Sequence, residues 1–238
     1  MKKVVFFVAG LLFLFAQASL VHATPSTQIW IPSTDIQEFG VVHLGVDNYN
    51  TLNKDLTTDD GKMDLVYGLT VGVVPSEAVS DKFGIEIGID WKEAADDNLY
   101  FNAKAGLYED AIFKGSPSLA FGGYDFGTKS DVTNVNILYG LAAKTFGEIG
   151  RLSAGYYFGN EDLLGANDDS GVLLSFDRSF GEKFWGAIDY MGGNNSYGAF
   201  SFGVSYALSD KSSFIVGYDI YNASGAKDTF TFQLDINF

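Results

Sequence analysis

Strict alternation of apolar and polar residues is the feature that most constrains how this chain can fold. Between Asp228 and the C-terminus, one face of an extended chain would carry Phe230, Phe232, Leu234, Ile236 and Phe238. The opposite face would carry Thr229, Thr231, Gln233, Asp235 and Asn237. A helix would spread the same apolar residues around its whole circumference, so the alternation predicts a strand with one apolar and one polar face.

The same period of two continues upstream as far as residue 39. Clear alternation covers residues 62–73, 82–91, 99–107, 134–141, 151–158, 200–206 and 213–220. Four further segments alternate less cleanly, namely 39–49, 117–126, 170–178 and 183–191, and the phase of 117–126 is ambiguous. The pattern predicts about twelve strands, an even number as single-chain bacterial membrane barrels require. The predicted fold class is therefore all-β, a membrane-spanning antiparallel up-and-down β-barrel over residues 39–238.

The predicted connections alternate in length and polarity. Those after odd-numbered strands are polar and mostly longer, such as NTLNKDLTTDDG and GNEDLLGANDD, whereas SFGEK and LSDKS follow even-numbered strands. A barrel with short turns at one rim and longer polar loops at the other has this arrangement. Segment 108–116 is an exception, because it is long for a tight turn.

Side-chain volume indicates which face of the barrel points outward. About twelve strands would place roughly fifty large apolar side chains on one face, more than a barrel interior could pack. The other face is mostly Gly, Ser, Thr, Asn and Asp, which suit a wet lumen. We therefore expect the apolar face to contact lipid, with the sheet closed so that every backbone group is paired. Rings on that face are candidates for interfacial girdles: Tyr67, Trp91, Tyr139, Tyr190 and Tyr206.

Residues 1–23 have the pattern of a secretory signal peptide. Lys2 and Lys3 precede an apolar run from Val4 to Ala16, and Val21 and Ala23 give small residues at the expected cleavage spacing. The apolar run is shorter than the roughly 20 residues that a spanning helix needs. We expect export through the inner membrane, cleavage after Ala23 and a final location in the bacterial outer membrane.

The segment between the signal peptide and the barrel, residues 24–38, has three possible placements. It holds Ile29, Trp30 and Ile31 between Pro25 and Pro32. It could be a periplasmic tether, a plug of the lumen or an extra strand, and a tether is the simplest alternative.

Composition excludes several functional classes. The chain has 30 acidic and 15 basic residues, with a net charge of −15, so phosphate would repel it and nucleic-acid binding is not expected. With no Cys, disulfides, thiol chemistry and cysteine-based zinc sites are ruled out. A hydrophobic content of 47% is too high for a disordered chain.

The C-terminal sequence FTFQLDINF and the strand pattern of residues 39–238 resemble bacterial outer-membrane β-barrel proteins. The resemblance implies that Phe238 belongs to an assembly signal read by the barrel assembly machinery, and that outer-membrane lipids surround the chain. Ile236 stands where a second aromatic is common, and Gln233 where Gly is common. The segment TPSTQIWIPSTDIQ also resembles the opening of an uncharacterised group of predicted outer-membrane proteins, which implies no activity.

No catalytic constellation is apparent in the sequence. His43, the single histidine after residue 23, shares its face with Gly45 and Asp47 on the lumen side. Barrels resembling outer-membrane phospholipases place a Ser–His pair on the lipid-facing wall instead. The acidic loop residues do not follow the spacing of an EF-hand. We therefore predict no catalytic residues, no metal site and no cofactor.

The charges on the polar face are the most informative functional signal. The predicted acidic set is Asp47, Asp64, Glu86, Asp90, Asp177, Asp189, Asp219 and Asp235. The basic set is Lys62, Lys82, Lys104 and Arg151. A passage lined by one sign of charge concentrates counter-ions, so the sequence favours a narrow, porin-like, cation-preferring channel for ions or small polar solutes. A closed anchoring barrel is the alternative, an outer-membrane enzyme is less favoured, and a homo-oligomer is compatible with the pattern.

Overall fold

The computed structural model describes residues 26–51, 64–75, 82–93, 97–165 and 168–238, so the predicted signal peptide and its cleavage site lie outside the described residues. Twelve antiparallel strands form a closed barrel in which each strand pairs with its neighbours in sequence and β1 pairs with β12. The prediction of an all-β, up-and-down barrel of about twelve strands is confirmed.

The strands are β1 (Val42–Thr51), β2 (Asp64–Gly72), β3 (Phe83–Lys92), β4 (Leu99–Leu107), β5 (Ser118–Gly127), β6 (Asn134–Thr145), β7 (Arg151–Phe158), β8 (Ser170–Phe180), β9 (Phe184–Met191), β10 (Ala199–Ser209), β11 (Ser212–Tyr221) and β12 (Thr229–Asn237). One helical turn, α1 (Glu161–Leu164), lies between β7 and β8. Among the described residues, no helix is both long enough and apolar enough to cross a membrane.

The two rims of the barrel differ in their connections. The short-turn rim carries residues 146–150, 181–183 and 210–211, together with the longer segment 108–117. The long-loop rim carries connections after the odd-numbered strands, including 159–169 and 192–198. This arrangement follows the alternation that the sequence predicts.

The seam between β1 and β12 closes the barrel through the last residue of the chain. His43 pairs with Asn237, and Thr51 pairs with Thr229. Beyond the end of β12, the backbone nitrogen of Phe238 donates to the carbonyl oxygen of Val42 at 2.9 Å. The alternating C-terminal segment is therefore the strand that leaves no unpaired edge.

The faces of the barrel are those of a membrane barrel. Along β12, Phe232 is 49% exposed on the outside, whereas Thr231 is fully buried within the barrel. The same division holds around the wall, where the outward side chains include Leu69, Ile87, Phe101, Leu152, Leu174, Phe202 and Val204. The predicted orientation, with apolar residues outside and polar residues inside, is confirmed for these strands.

Strand β6 departs from that rule. Ile137, Tyr139 and Leu141 point into the lumen and are buried, while Leu138 on the other face is exposed. The prediction that Tyr139 lies on the outer apolar face is wrong, although Tyr67 and Trp91 do lie there. The strand is apolar on both faces because its inner face packs against another apolar segment, which is described below.

A bulge in β5 accounts for the ambiguous phase of residues 117–126. Ala103 of β4 pairs with Gly123, but Phe101 pairs with Phe126, so Tyr124 and Asp125 together face a single residue of β4. Asp125 adopts a left-handed backbone, with φ of 57°. An extra residue of this kind shifts the alternation by one position, and Tyr124 and Asp125 both reach the lumen.

Candidate functional site

Residues 26–38, which we name the N-terminal segment, run through the lumen of the barrel. Its first part, residues 26–33, forms a tight hairpin in which the nitrogen of Gln28 donates to the carbonyl oxygen of Ile31 at 2.8 Å. The nitrogen of Ser33 donates to the carbonyl oxygen of Ser26 at 3.1 Å. Ile29 and Trp30 form the tip, and the hairpin contacts lumen-facing side chains such as Asp189 and, through Trp30, the long-loop rim.

Buried polar side chains on β9 and β12, three strands apart in the wall, hold the hairpin tip. Oδ2 of Asp189, on β9, accepts hydrogen bonds from the backbone nitrogens of Ile29 at 2.9 Å and Trp30 at 3.0 Å. Three strands further along the wall, Nε2 of Gln233 on β12 donates to the carbonyl oxygen of Ile29 at 2.8 Å. Asp189 and Gln233 are both buried, and these bonds satisfy backbone groups that water does not reach.

Glycines on the inner wall make room for two isoleucines of the N-terminal segment. A Cβ at Gly217 would lie 2.8 Å from Cγ2 of Ile29, and a Cβ at Gly203 would lie 2.7 Å from its Cδ1. A Cβ at Gly84 would likewise lie 2.8 Å from Cγ2 of Ile36. Real side chains do not approach this closely, so the segment fits because these wall positions carry no side chain.

Beside these polar contacts, the lumen wall from β6 to β11 carries two apolar clusters that meet the hairpin. Ile31 belongs to a buried cluster with Ile137, Tyr139, Leu141, Tyr157, Leu164, Leu173 and Met191. Ile29 packs in a second cluster with Trp185, Ala187 and Ile215. This packing is the reason that β6 has an apolar inner face.

The other side of the lumen holds a cavity of about 220 Å³, bounded by β1 to β5 and by the hairpin. Gly45 and Gly68 form part of its wall, beside Asp47 and Asp90. A single water takes up about 30 Å³ in the liquid, so this space accommodates several waters or one small organic molecule. We name it the lumen cavity.

Each basic side chain that lines the lumen cavity, within the described residues, lies beside a carboxylate. The pairs are Lys104 Nζ with Glu86 Oε1 at 3.0 Å, Lys92 Nζ with Asp125 Oδ1 at 2.6 Å, and His43 Nε2 with Asp235 Oδ1 at 3.3 Å. The positive charge on this wall is therefore already matched by acids.

Two carboxylates of the lumen cavity have no cationic partner among the described residues. Asp90 accepts one hydrogen bond, from Nδ2 of Asn102 to its Oδ2 at 2.8 Å. Asp47 makes no hydrogen bond or ion pair with any residue that the structure describes. Both face the cavity, and its described lining has five acidic side chains against three basic ones, a formal excess of acids.

Aromatic rings surround the end of the cavity near the long-loop rim. The ring of Trp30 meets Tyr49 edge to face, with centroids 5.3 Å apart, and meets Tyr221 in the same way at 5.6 Å. Nε1 of Trp30 donates to the carbonyl oxygen of Tyr197 at 2.8 Å. Burial, followed by the nearby charge of Asp125, raises the pKa of the Tyr197 phenol well above its ordinary value. The phenol therefore stays protonated and donates to Asp125.

A second group of charges lies toward the short-turn rim. Nε of Arg151 donates to Oδ1 of Asp177 at 2.9 Å, and its Nη1 contacts Asp35 of the N-terminal segment at 2.7 Å. Nε1 of Trp185 donates to Oδ2 of Asp177 at 3.1 Å. These contacts tie the segment to β7 and β8 below the hairpin.

Nine predicted pore-lining residues have described side chains, and all nine face the lumen: Asp47, Glu86, Asp90, Lys104, Arg151, Asp177, Asp189, Asp219 and Asp235. They do not form one group, because Asp189, Asp177 and Arg151 contact the N-terminal segment rather than the cavity. Asp219 is buried against β12, where its Oδ2 accepts from Oγ1 of Thr229 at 2.9 Å. Asp64 is the first residue of β2, and its side chain lies outside the described part of the structure.

Two charged residues of the cavity escape the sequence prediction. Lys92 continues the alternation of β3 by one step beyond Trp91, so the pattern was sufficient to find it. Asp125 is part of the bulge in β5, and no regular period places it inside. Of the other predicted basic residues, Lys62 lies outside the described residues, and Lys82 is exposed in the turn before β3.

A larger hollow, of about 580 Å³, lies on the outer wall over β8 to β12 and is lined by apolar residues such as Phe176, Ile188 and Val216. It belongs to the outward apolar surface, and Arg178 is the one charged residue in its described lining. Across the described ranges, no three His, Asp or Glu side chains are grouped as metal ligands would be. The lumen is therefore the candidate site.

Comparison with solved structures identifies similar barrels. The chain resembles an outer-membrane channel from Pseudomonas putida F1, with a TM-score of 0.57 and 13% identity over 91% of this chain and all of the other. It also resembles the KdgM porin, with a TM-score of 0.55 and 10% identity over 83% of this chain and 99% of the porin. That porin has also been solved in complex with disordered oligogalacturonate.

No protein-family model matches the sequence, and no curated protein matches it. Identities this low establish a shared fold and nothing finer. The chain is thus a twelve-stranded barrel with the architecture of these small outer-membrane porins and channels.

Proposed function

We propose that this chain is a narrow outer-membrane channel that prefers cations, and that its own N-terminal segment restricts the lumen. The observation that carries the proposal is the charge imbalance of the lumen cavity. Asp47 and Asp90 face it without a cationic partner, whereas its basic residues are already paired. A cavity with one sign of uncompensated charge and low-dielectric walls attracts counter-ions and excludes ions of the same sign.

An outer-membrane location is supported by the outward apolar face and by the closed hydrogen-bonded wall. In lipid, a sheet is stable only when it leaves no unpaired edge. The pairing of β1 with β12 meets that requirement. The shared architecture with outer-membrane channels agrees with it.

The solute is not carried over from the KdgM porin. Oligogalacturonate, with which that porin was solved, carries a carboxylate on each sugar. The uncompensated carboxylates of Asp47 and Asp90 would repel it from the cavity. We expect small cations and small polar solutes to pass in preference to acidic sugars.

Selectivity is tested by reconstituting the full chain in a planar bilayer and measuring the reversal potential under a salt gradient. We expect cation preference in the wild type and a reduced preference in the Asp47→Asn/Asp90→Asn variant. The control is Asp210→Asn, which makes the same substitution once, in the exposed turn 210–211, and so removes one acidic side chain outside the lumen. Anion preference in the wild type, or an unchanged potential in the double variant, would contradict the charge argument.

The role of the N-terminal segment is tested by deleting residues 26–38. The deletion removes Ile29 and Ile31 from the lumen, so we expect a larger single-channel conductance. The packing of these two residues also favours a second candidate function, a closed barrel that serves as an anchor. That alternative predicts no conductance from the full chain, with current appearing only after the deletion or not at all.

A further inference from the structure

We propose that the lumen cavity binds a small organic cation, with its ammonium group held between Asp47 and Asp90 and its apolar part against aromatic rings. This inference rests on the proposed function, because it names the class of solute for the same lumen.

Backbone geometry brings the two carboxylates toward each other. Asp47 lies on β1 and Asp90 on β3, with β2 between them, where Gly68 pairs with Asp90. A Cβ at Gly68 would lie 2.9 Å from Oδ1 of Asp90. The carboxylate of Asp90 therefore lies over β2, on the side toward the strand that carries Asp47. A side chain at Gly68 would meet the Asp90 carboxylate on the side that faces β1.

The basic side chains near Asp47 and Asp90 indicate why a cationic ligand would be favourable. His43, Lys92 and Lys104 form their ion pairs with other carboxylates, and none of the three makes an ion pair with Asp47 or Asp90. Taking a carboxylate out of bulk water costs free energy unless a positive charge or donors replace the lost hydration. A cationic ligand between the two acids would supply that charge.

The aromatic rings of the lumen cavity favour an organic cation over a metal ion as its ligand. Tyr49 lies two residues from Asp47 on the same face of β1, and Trp30 and Tyr124 also line the cavity. A metal ion would need more oxygen ligands than two carboxylates and gains little from rings. Alkylammonium groups are attracted to ring faces, and an arrangement of rings with a few polar groups is typical of sites for small organic molecules.

The cavity volume, about 220 Å³, limits the ligand to a small molecule. The N-terminal segment fills the rest of the lumen at the level of Ile29 and Ile31. A long oligomer would have to displace that segment, whereas a compact amine fits beside it. We therefore infer a ligand of the size of a simple alkylammonium compound.

Binding is tested with choline and with 3,3-dimethyl-1-butanol, its uncharged analogue of the same shape. The full chain is refolded in detergent, and binding is followed by titration calorimetry and by tryptophan fluorescence, since Trp30 lines the site. We expect choline to bind about tenfold more tightly than the alcohol, in line with the sum of charge and ring contributions. Asp47→Asn/Asp90→Asn should remove that difference, whereas Asp210→Asn should preserve it.

Equal affinity for the two probes, or an unchanged preference in the double variant, would overturn the inference. If the double variant fails to refold, Asp47→Asn alone supplies the test, because this substitution removes no hydrogen bond or ion pair between described residues. Trp30→Leu should weaken choline binding while leaving the charge in place.

Binding in detergent and conductance in a bilayer separate this inference from the proposed function. Cation-selective current without choline binding would reject the organic-cation site and leave the channel. Choline binding without current would reject the channel and leave the site. Choline should also reduce the potassium current of a channel that contains the site.

Discussion

Cγ2 of Ile29 packs so closely over Gly217 that a methyl group on that glycine would lie 2.8 Å away. The isoleucine belongs to the N-terminal segment and the glycine to β11, so the wall is shaped to receive the segment. The next nearest atom to such a methyl group is Cγ2 of Thr231 at 2.9 Å. This close approach shows that the N-terminal segment packs tightly against β11.

Gly217→Ala should destabilise the folded barrel by about 1–3 kcal/mol, the usual cost of overpacking a tight site. The free energy of unfolding is measured by urea titration in micelles. Gly45→Ala is the matched control, because a methyl group there meets only Nε2 of His43, at 3.7 Å. Adding Ile29→Ala should recover part of the loss, so the effects in a double-mutant cycle should not add. Strict additivity would show that Ile29 does not occupy this position.

Asp189→Ala should release the tip of the hairpin. The substitution removes both acceptor bonds to the nitrogens of Ile29 and Trp30, and each buried donor left unpaired costs about 1–3 kcal/mol. Hydrogen exchange followed by NMR should show faster exchange of these two amides. Asp219→Ala is the control, since Asp219 contacts Thr229 and not the segment. Equal protection in wild type and Asp189→Ala would contradict the assigned contact.

Two lysine–glutamate pairs of different burial should respond differently to the same substitution. In the Lys104–Glu86 pair the side chains are 3% and 4% exposed, and in the Lys144–Glu109 pair they are 30% and 29% exposed. Lys104→Met should cost up to about 3 kcal/mol of folding stability, because it leaves a buried carboxylate without its cation. Lys144→Met should cost only about 0–1 kcal/mol.

Urea unfolding of both lysine variants in the same micelles makes the comparison direct. Glu86 also accepts from Oγ of Ser26 at 2.9 Å and from the nitrogen of Gln37 at 2.6 Å. Those bonds reduce the loss of folding stability in Lys104→Met, but they do not replace the positive charge of the lysine. Similar losses in the two variants would show that the Glu86 pair is solvated.

We propose that the Phe238 side chain serves assembly in the cell rather than stability of the finished barrel. The backbone of Phe238 bonds to Val42, but its side chain is 65% exposed. Phe238→Ala keeps the backbone bond, so refolding in detergent should be nearly unchanged while the amount in the outer-membrane fraction falls. Phe232→Ala removes another outward ring of β12 and is the control. Normal accumulation of Phe238→Ala would reject the role.

Alternation is enough to predict the barrel because each regular strand has one face toward the outside and one face toward the lumen. In β12 the pattern places Phe232 outside and Thr231 inside without any further information. It failed in β6, where Tyr139 lies inside, because the inner neighbour of that strand is the distant N-terminal segment. It gave no phase for β5, because the bulge at Asp125 interrupts the period.

The candidate site was only partly visible in the sequence. The alternation of β1 and β3 is sufficient to place Asp47 and Asp90 on the lumen side. Whether each acid forms an ion pair depends on which lysine reaches which acid across the lumen. The placement of residues 26–38 depends on contacts such as Gln233 with Ile29, which join residues far apart in the chain. Periodicity carries no information on contacts of that kind.

Glycines on the inner wall also allow the width of the lumen to be reduced in small steps by substitution. Gly45 borders the lumen cavity, and the one atom near a methyl group at this position is Nε2 of His43, at an ordinary van der Waals distance. Gly68 borders the same space and is limited only by the flexible carboxylate of Asp90. A series of single methyl additions at these positions would narrow the bore while leaving the strand pairing intact, and so turn the barrel into a graded molecular sieve.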